Sequence, residues 1–369
     1  MQIQTTTISK TKDNKINDIL KISRSLRLTK KIVIVDGQPG CGKTMLSPII
    51  AALDRVELLS FAYELEYICA LRYLGRIEED AASTMARLLT DLKIYNIMMS
   101  REVNFRPADL SSIFRDAHPF RYLFRLFEEG DRQVPAKVEK ENPILHLTTH
   151  NLTSICTPVF DGLGKEVVLI ELVRHPLYMI KQQTWNMENL IGDVRDFTIY
   201  FNYKGKELPF YAYGWEDIFI NSNPVEKAIY SIEKMYQQSE KEKELVRRKF
   251  NAKIITIPFE RFVISPWDYM HQIENALSTK VTTVTLRVMK KQKVPRKMIA
   301  DGINLKLYKR YGWQPPVSRD ENEEFRLRRQ FAVDNASKQA VEVLDKISIE
   351  YEERYLGGRK GYLSGMYSV

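Results

Sequence analysis

Residues 37–44 combine three glycines, a lysine and a threonine at a spacing that suits phosphate binding. The segment reads GQPGCGKT and fits the P-loop pattern G-x-x-x-x-G-K-[ST] at every fixed position. The apolar segment KIVIV precedes it and TMLSPIIAAL follows it, as expected of a strand, a loop and a helix. A glycine-rich turn without a ligand is the alternative, but a complete motif in this setting favours a phosphate site.

The residue types of this loop explain which chemistry it could serve. Glycines let backbone N–H groups approach phosphate oxygens that a Cβ atom would obstruct, and the next helix directs its positive end at the anion. Lys43 would reach terminal phosphoryl or sulfuryl oxygens, and Thr44 would bind Mg²⁺ if the ligand were a nucleoside triphosphate. The motif predicts a cofactor site formed by Gly37, Gln38, Pro39, Gly40, Cys41, Gly42, Lys43 and Thr44.

Apolar strands alternate with helical segments around this loop. Strands are predicted at 31–35, at 55–61, within 142–155, at 165–173 and within 252–262, and helices at 44–53, 62–75, 225–250, 265–278 and within 176–187. The strand at 165–173 is apolar almost throughout, which is typical of a parallel strand covered on both faces. The pattern predicts an α/β fold: a P-loop doubly wound parallel sheet flanked by helices, with ligands at the carboxyl ends of its strands.

The chain is predicted to form one domain with two appended ends. Residues 1–29 are polar and basic, and we interpret them as an arm or as a short amphipathic helix from Lys15 to Leu26. The domain covers 30–358, with a helical insertion at about 78–141, and 359–369 form a tail. Residues 193–224 are aromatic and irregular, which favours a short antiparallel excursion or a lid. The insertion and the aromatic stretch 197–215 are expected to line the acceptor pocket, with an ordinary aromatic core as an equal alternative for Tyr200, Tyr203, Tyr211, Tyr213 and Trp215.

The composition indicates a soluble globular protein. The chain has 369 residues, with 56 Lys and Arg against 47 Asp and Glu, and a formal net charge of +9. Basic and acidic residues are mixed along most of the chain and no nucleic-acid-binding motif is visible, so a nucleic-acid partner is not expected. No apolar segment reaches transmembrane length, and the N-terminus lacks the apolar region of a signal peptide.

Three cysteines are widely spaced and lack metal-ligand spacing, which favours a reducing, cytoplasmic location. Cys41 lies at the tip of the predicted loop, where its pKa could be lowered. A small residue that a tight loop tolerates is the favoured interpretation of this position.

Four segments, taken in order, resemble the sulfotransferase family of P-loop folds. They are GQPGCGKT at 37–44, TTHNL at 148–152, VRHPLYMIKQQ at 173–183 and IPFERFVISPWDYMHQIENALS at 257–278. The family has a phosphosulfate loop, a Thr-His-Leu-like segment at a strand end, an Arg-x-Pro turn and a Tyr/Phe-Glu strand in the same order. The resemblance spans residues 31–358 in element order.

This resemblance implies a nucleotide donor and a hydroxyl-bearing or amine-bearing acceptor. The donor would be 3′-phosphoadenosine 5′-phosphosulfate (PAPS), and the acceptor could be a carbohydrate or a small alcohol. Arg174 would contact the 3′-phosphate through its planar guanidinium group, and Gln182 stands where the family has a serine that contacts this phosphate. The basic run 287–297 lies where the family covers the same phosphate, although a solvated surface is an equal alternative. Its candidate ligands are Lys291, Arg296 and Lys297.

His150 stands where the family has its general base. A neutral imidazole could take the proton of the acceptor's hydroxyl, but a histidine that caps a helix or satisfies a loop is an equal alternative. Glu64 and Glu66 are rival bases, since other sulfotransferase branches place a glutamate base after the second strand. His146 is expected to be buried, and Asp36 to hold a turn by a side-chain hydrogen bond.

A kinase or NTPase that uses ATP with Mg²⁺ is the second hypothesis. The lysine at position 43 and the threonine after it are arranged as in ATP-binding and GTP-binding proteins. This chemistry expects an acidic residue that closes an apolar strand, for which Glu171 and Asp36 are weak candidates. No metal ligand is predicted apart from Thr44 in that case. The sequence leaves the acceptor's identity and the oligomeric state open.

Overall fold

Five parallel strands form the central sheet. The structure is a computed structural model, and it describes residues 20–301, 309, 312 and 320–357. The strands of the described part are, in chain order, β1 (Ile32–Asp36), β2 (Ser60–Phe61), β3 (Leu145–Thr148), β4 (Val167–Val173), β5 (Tyr200–Tyr203), β6 (Lys206–Pro209) and β7 (Lys253–Pro258). The sheet has the order β2-β3-β1-β4-β7 with all neighbours parallel, and β5 and β6 form a separate antiparallel hairpin. The predicted parallel α/β sheet and the predicted antiparallel excursion are both confirmed.

Helices cover both faces of this sheet. Those of the described residues are α1 (Lys43–Ala51), α2 (Tyr63–Tyr73), α3 (Glu79–Ile97), α4 (Pro119–Arg125), α5 (Val134–Glu141), α6 (Thr157–Leu163), α7 (Pro176–Asn189), α8 (Glu216–Asn221), α9 (Pro224–Phe250), α10 (Phe259–Ile264), α11 (Trp267–Leu277), α12 (Thr283–Lys291), α13 (Glu321–Asn335) and α14 (Lys338–Tyr351). Val33 and Val35 of β1 pack in one cluster with residues of α1, α7, α9 and α14. Ile32 and Ile34 pack in another with residues of α2, α3 and α6. Because successive side chains of a strand point to opposite faces, four consecutive apolar residues fit a strand that is covered on both sides.

Helix α9 is held at its start and along its length. The side chain of Asn223 accepts a hydrogen bond from the N–H of Glu226, whose carboxylate accepts one from the N–H of Asn223, and these bonds form a capping box. The buried ammonium group of Lys243 pairs with the carboxylate of Glu171 on β4. These contacts fix α9 against the sheet, beside the site described below. Although α9 has 27 residues, neither it nor any other described helix is both long and apolar enough to cross a membrane.

Residues 20–30 lie beside α3 and contain no helix. The N–H of Ile22 donates a hydrogen bond to the carboxylate of Asp80, which belongs to α3. The predicted helix that ends at Leu26 is therefore wrong in its described part, because this backbone bonds to α3 instead of to itself. The first 19 residues of the predicted arm, and the tail predicted at 359–369, lie outside the described residues.

The segment between β2 and β3 is only partly helical. Helix α3 packs on the sheet and α4 and α5 follow it, but residues 98–112 contain no helix. The prediction of helical structure over 78–141 is therefore wrong for that part. A buried ion pair between Arg125 and Glu57 holds the segment next to β2. Strand β2 itself has two residues, fewer than the sequence predicts.

Candidate active site

The P-loop follows β1 and bends sharply at its glycines. Gly37, Gly40 and Gly42 have φ angles of 144°, 92° and 107°, which residues with a Cβ atom rarely adopt. A Cβ on Gly37 would lie 2.3 Å from the carbonyl oxygen of Leu172, and a Cβ on Gly42 would lie 2.5 Å from the ring of Phe259. Only glycine fits these positions without a shift of the neighbouring atoms.

Lys43, the first residue of α1, lies over the loop. Its ammonium group donates hydrogen bonds to the carbonyl oxygens of Gly37 and Gln38, the second at 3.3 Å. The next residue, Thr44, is exposed in the first turn of the helix. The thiol of Cys41 is buried, and burial raises its pKa, so the hypothesis of a lowered pKa is wrong there. A bound anion would compete with the two carbonyl oxygens for Lys43.

Two glutamines of α7 lie against the outside of the loop. The side chain of Gln183 donates a hydrogen bond of 3.0 Å to the carbonyl oxygen of Pro39. The side-chain oxygen of Gln182 lies 3.3 Å from the position that a Cβ on Gly40 would occupy. Gln182, which the resemblance suggests as a phosphate contact, is therefore placed at the loop.

Asp36 connects the P-loop strand to the loop that follows β3. Its fully buried carboxylate accepts hydrogen bonds from the hydroxyl of Thr149 at 2.7 Å, the N–H of Leu152 at 3.1 Å and the N–H of Thr153 at 2.7 Å. Asp36 thus holds a turn, as expected, but the turn is that of residues 149–153 and not its own. This connection fixes His150 next to the phosphate loop.

His150 pairs with Glu66 of α2. The His150 Nδ1 atom lies 3.3 Å from Glu66 Oε1, and the backbone N–H of His150 donates to the same oxygen at 3.2 Å. The imidazole ring stacks on Tyr63, with ring centres 5.5 Å apart. Burial raises the pKa of the Glu66 carboxyl, and the hydrogen bond from His150 partly offsets this. If Nδ1 carries the proton that Glu66 accepts, the lone pair lies on Nε2, which has no hydrogen-bond partner in the described part of the chain.

The other candidate bases and histidines are placed elsewhere. The carboxylate of Glu64 is about half exposed and lies 3.7 Å from the ammonium group of Lys93. His146 is fully buried as expected, and burial lowers its pKa to about 3. His175 is also fully buried, and its Nδ1 accepts a hydrogen bond from the N–H of Leu177 at the start of α7. His150 and Glu66 are therefore the titratable pair next to the loop.

Two guanidinium groups lie near one aromatic ring beside the loop. The guanidinium carbon of Arg174 lies 4.3 Å from the centre of the Phe259 ring, and that of Arg296 lies 5.5 Å from it. Arg174 also donates a hydrogen bond of 3.0 Å to the carbonyl oxygen of Gly40. Two further residues of the basic run, Lys291 and Lys297, are exposed. Arg174 and Arg296 concentrate positive charge next to the P-loop.

A cavity of about 180 Å³ opens beside His150 and Glu66. Residues of α2, α7, α9 and the segment 195–211 line it. Tyr211 is among them, whereas the other four aromatic residues that the sequence suggested are not. The segment 78–141, all of which is described, contributes no lining residue, so the expectation that it borders the pocket is wrong. The cavity instead lies between α2 and α9, with α7 on its side.

Sequence reasoning missed three residues of this site. Asn151 borders the cavity next to His150, and that neighbourhood in the chain was the signal that could have found it. Ser231 lies on α9 with its hydroxyl buried and without a hydrogen-bond partner among the described residues. Phe259 lies close to both guanidinium groups. It belongs to the Phe-Glu segment quoted above, whereas no motif marks Ser231, whose place arises only from the packing of distant segments.

No protein-family model matches this chain. It is similar to three solved structures, all of sulfotransferases. The sulfotransferase domain from the Synechococcus PCC 7002 olefin synthase is 14% identical, with 85% of this chain and 98% of that chain covered and a TM-score of 0.39. The sulfotransferase domain from the curacin biosynthetic pathway is 13% identical, with 84% of this chain and 99% of that chain covered and a TM-score of 0.39. Sulfotransferase STF9 from Mycobacterium avium is 12% identical, with 76% of this chain and 70% of that chain covered and a TM-score of 0.36. At these low values, the likeness assigns neither a donor, nor an acceptor, nor the role of any residue.

Proposed function

We propose that this chain is a sulfotransferase that moves a sulfuryl group from PAPS to a hydroxyl or amine group of an acceptor. One observation carries the proposal. The P-loop, the guanidinium groups of Arg174 and Arg296, and the pair of His150 and Glu66 lie at the same edge of the sheet, with a cavity beside the histidine. This edge is where the strands of a doubly wound sheet end and where such sheets bind their ligands.

The donor half suits a ligand with negative charge in two places. The P-loop backbone and Lys43 would bind the 5′-phosphosulfate. Arg174 and Arg296 both lie near Phe259 beside the loop, and their planar guanidinium groups would suit the oxygens of a second phosphate. PAPS has this second phosphate at its 3′ position, whereas the phosphates of ATP form one chain. Two guanidinium groups in addition to Lys43 therefore support PAPS.

The acceptor half suits a general-base mechanism. Glu66 holds the Nδ1–H of His150, which leaves the Nε2 lone pair to take the proton of the acceptor's hydroxyl. The acceptor oxygen then forms a bond to sulfur as the bond from sulfur to the bridging oxygen breaks. The electron pair of the broken bond stays on that oxygen, and adenosine 3′,5′-bisphosphate leaves. Lys43 and the loop amides would stabilise the charge that develops on this oxygen.

Mg·ATP-dependent phosphoryl transfer is the second candidate, because Lys43 and the exposed Thr44 complete the nucleotide-triphosphate pattern. Its weakness lies in the acidic residues. Asp36 is committed to the turn of residues 149–153, and Glu171 accepts hydrogen bonds from Lys243 and Thr256. Mg²⁺ would have to compete with the turn for Asp36 and with Lys243 for Glu171.

The cysteines support a cytoplasmic enzyme. Cys41, Cys69 and Cys156 are all free and buried. Free thiols persist in a reducing compartment, so we extend the proposal to a cytoplasmic location.

Calorimetric titration of the wild-type chain tests the proposed function. We expect adenosine 3′,5′-bisphosphate to bind without Mg²⁺ and at least as tightly as ADP, because only the former has a phosphate for Arg174 and Arg296. Transfer from radiolabelled PAPS to a panel of alcohols, phenols, sugars and amines would then identify acceptors. Binding of Mg·ATP alone, with no preference for a 3′-phosphate, would replace the proposal by the phosphoryl-transfer alternative.

A further inference from the structure

Asn151 lies at the junction of two cavities. It borders the cavity of about 180 Å³ beside His150 and also a smaller one of about 40 Å³ against the P-loop, which Gly37, Gln38 and Arg174 help to line. Met235 is the other described residue that borders both. Asn151 is therefore the polar side chain, among the described residues, that faces both the phosphate loop and the proposed acceptor cavity.

The side chain of Asn151 has no structural task that would explain its place. Its Oδ1 atom is buried and has no hydrogen-bond partner among the described residues. The backbone is held without it, since the hydroxyl of Ser154 donates to the carbonyl oxygen of Asn151 at 2.8 Å and Asp36 holds the next residue, Leu152. A buried polar group without a partner lowers stability, and such groups are rare in folded proteins. Because no hydrogen bond from the described residues holds the carboxamide, it can turn so that Nδ2, which donates, faces a ligand next to His150.

We infer that Asn151 binds the sulfuryl group that is transferred. This inference rests on the proposed function, and it adds a site for a tetrahedral anionic group between the P-loop and His150. The sulfuryl group would pass from the loop to an acceptor beside His150, and Asn151 lines the smaller cavity together with Gly37 and Gln38 and the larger cavity together with His150. A carboxamide has an N–H donor at one end and an acceptor at the other, and no hydrogen bond fixes which end faces the ligand. Rotation about χ2 presents Nδ2 to a sulfuryl oxygen, where it stabilises the negative charge.

Two ligands that differ only in the sulfuryl group test this inference without a known acceptor. Calorimetry on the full chain would measure the affinities of PAPS and of adenosine 3′,5′-bisphosphate. We expect Asn151→Ala to weaken PAPS binding by about tenfold or more, the effect of one hydrogen bond to a charged group, and to leave adenosine 3′,5′-bisphosphate binding unchanged. Asn151→Asp keeps the size of the side chain but replaces the donor by a negative charge, so its loss of PAPS affinity should be larger.

Asn186 provides the matched control, because it borders only the larger cavity. Asn186→Ala should leave both affinities unchanged, and thermal unfolding would establish that every variant is folded. Equal losses for the two ligands, or an unchanged ratio of their affinities in Asn151→Ala, would overturn the inference. A failure of the proposed function is distinguishable, since the wild-type chain would then bind neither adenosine nucleotide with a 3′-phosphate.

Discussion

The two halves of the candidate site are built in different ways. In the donor half, eight consecutive residues from Gly37 to Thr44 form the loop, and its shape depends on glycines with positive φ angles. In the acceptor half, side chains come from α2, α7, α9, the loop after β3 and the segment 195–211. Backbone amides would bind the anion in the first half, whereas side chains would select the acceptor in the second.

This difference explains why one ligand can be inferred and the other cannot. Backbone recognition of an anion needs a contiguous run of permissive residues, so its pattern is visible in a sequence. A cavity lined by single side chains from several segments has no such pattern, and many combinations of residues could form it. The donor's chemistry is therefore local, and the acceptor's depends on tertiary packing.

His150→Ala is expected to have the largest effect and to separate the two halves most clearly. Turnover with any acceptor found should fall by about 10²- to 10⁴-fold, the usual contribution of a general base, while the affinity for adenosine 3′,5′-bisphosphate should not change. Full turnover in His150→Ala would show that another group is the base. Glu64→Gln is the control and should stay active, because Glu64 pairs with Lys93 away from the cavity.

Lys43→Ala is the corresponding change in the donor half. It removes the cation that lies over the loop but keeps the glycine backbone, so PAPS affinity and turnover should fall by about 10²-fold or more while the fold survives. Lys338→Ala, which changes an exposed lysine on α14, is the matched control. Unchanged donor affinity in Lys43→Ala would mean that the loop is not the donor site.

The sequence predicted most of the sheet but less of what surrounds it. The alternation of apolar strands and helices identified β1, β3, β4 and β7, because buried strands and P-loop geometry leave local signals. Residues 98–112 were predicted as part of a helical insertion, yet they contain no helix, and the side chain of Asn104 forms hydrogen bonds inside the segment with Asp109, Ser111 and the N–H of Arg106. Local bonds of this kind offer the backbone an alternative to a helix.

For the candidate site, the sequence suggested residues but not which of them are partners. His150 and Glu66 were proposed as rivals from their positions in the chain, and the structure places them 3.3 Å apart as one pair. Asp36 was expected to hold its own turn, but it holds the loop that carries His150. Both relations join residues more than 80 positions apart, which no spacing rule can predict.

Arg174→Lys and Arg296→Lys would test whether the donor half binds a second phosphate. Each change keeps the charge but removes the planar fork, so the affinity for adenosine 3′,5′-bisphosphate should fall by about tenfold while that for ADP changes little. Calorimetry with both nucleotides measures the difference. An equal loss of affinity for ADP would indicate that the arginines support the loop instead of binding a second phosphate. The hydrogen bond from Arg174 to the carbonyl oxygen of Gly40 is the contact that would do so.

Glu66→Gln is expected to have the smallest effect and concerns how the acceptor half orients its base. A glutamine oxygen can still accept the Nδ1–H of His150, so turnover should fall by only about tenfold, the difference between a charge-assisted and a neutral hydrogen bond.

The same variant should also change how the free energy of unfolding depends on pH. Burial raises the pKa of Glu66, so the folded state keeps this proton to higher pH than the unfolded state does. In wild type, the free energy of unfolding therefore falls as the pH rises from the usual carboxyl range to the raised pKa, and the variant lacks this fall. Urea unfolding at pH 5 and pH 8 should show Glu66→Gln gaining stability relative to wild type at the higher pH. A carboxylate that stabilises the fold at pH 8 would reverse the sign, and Glu66 would then serve as a structural anchor of the 149–153 turn.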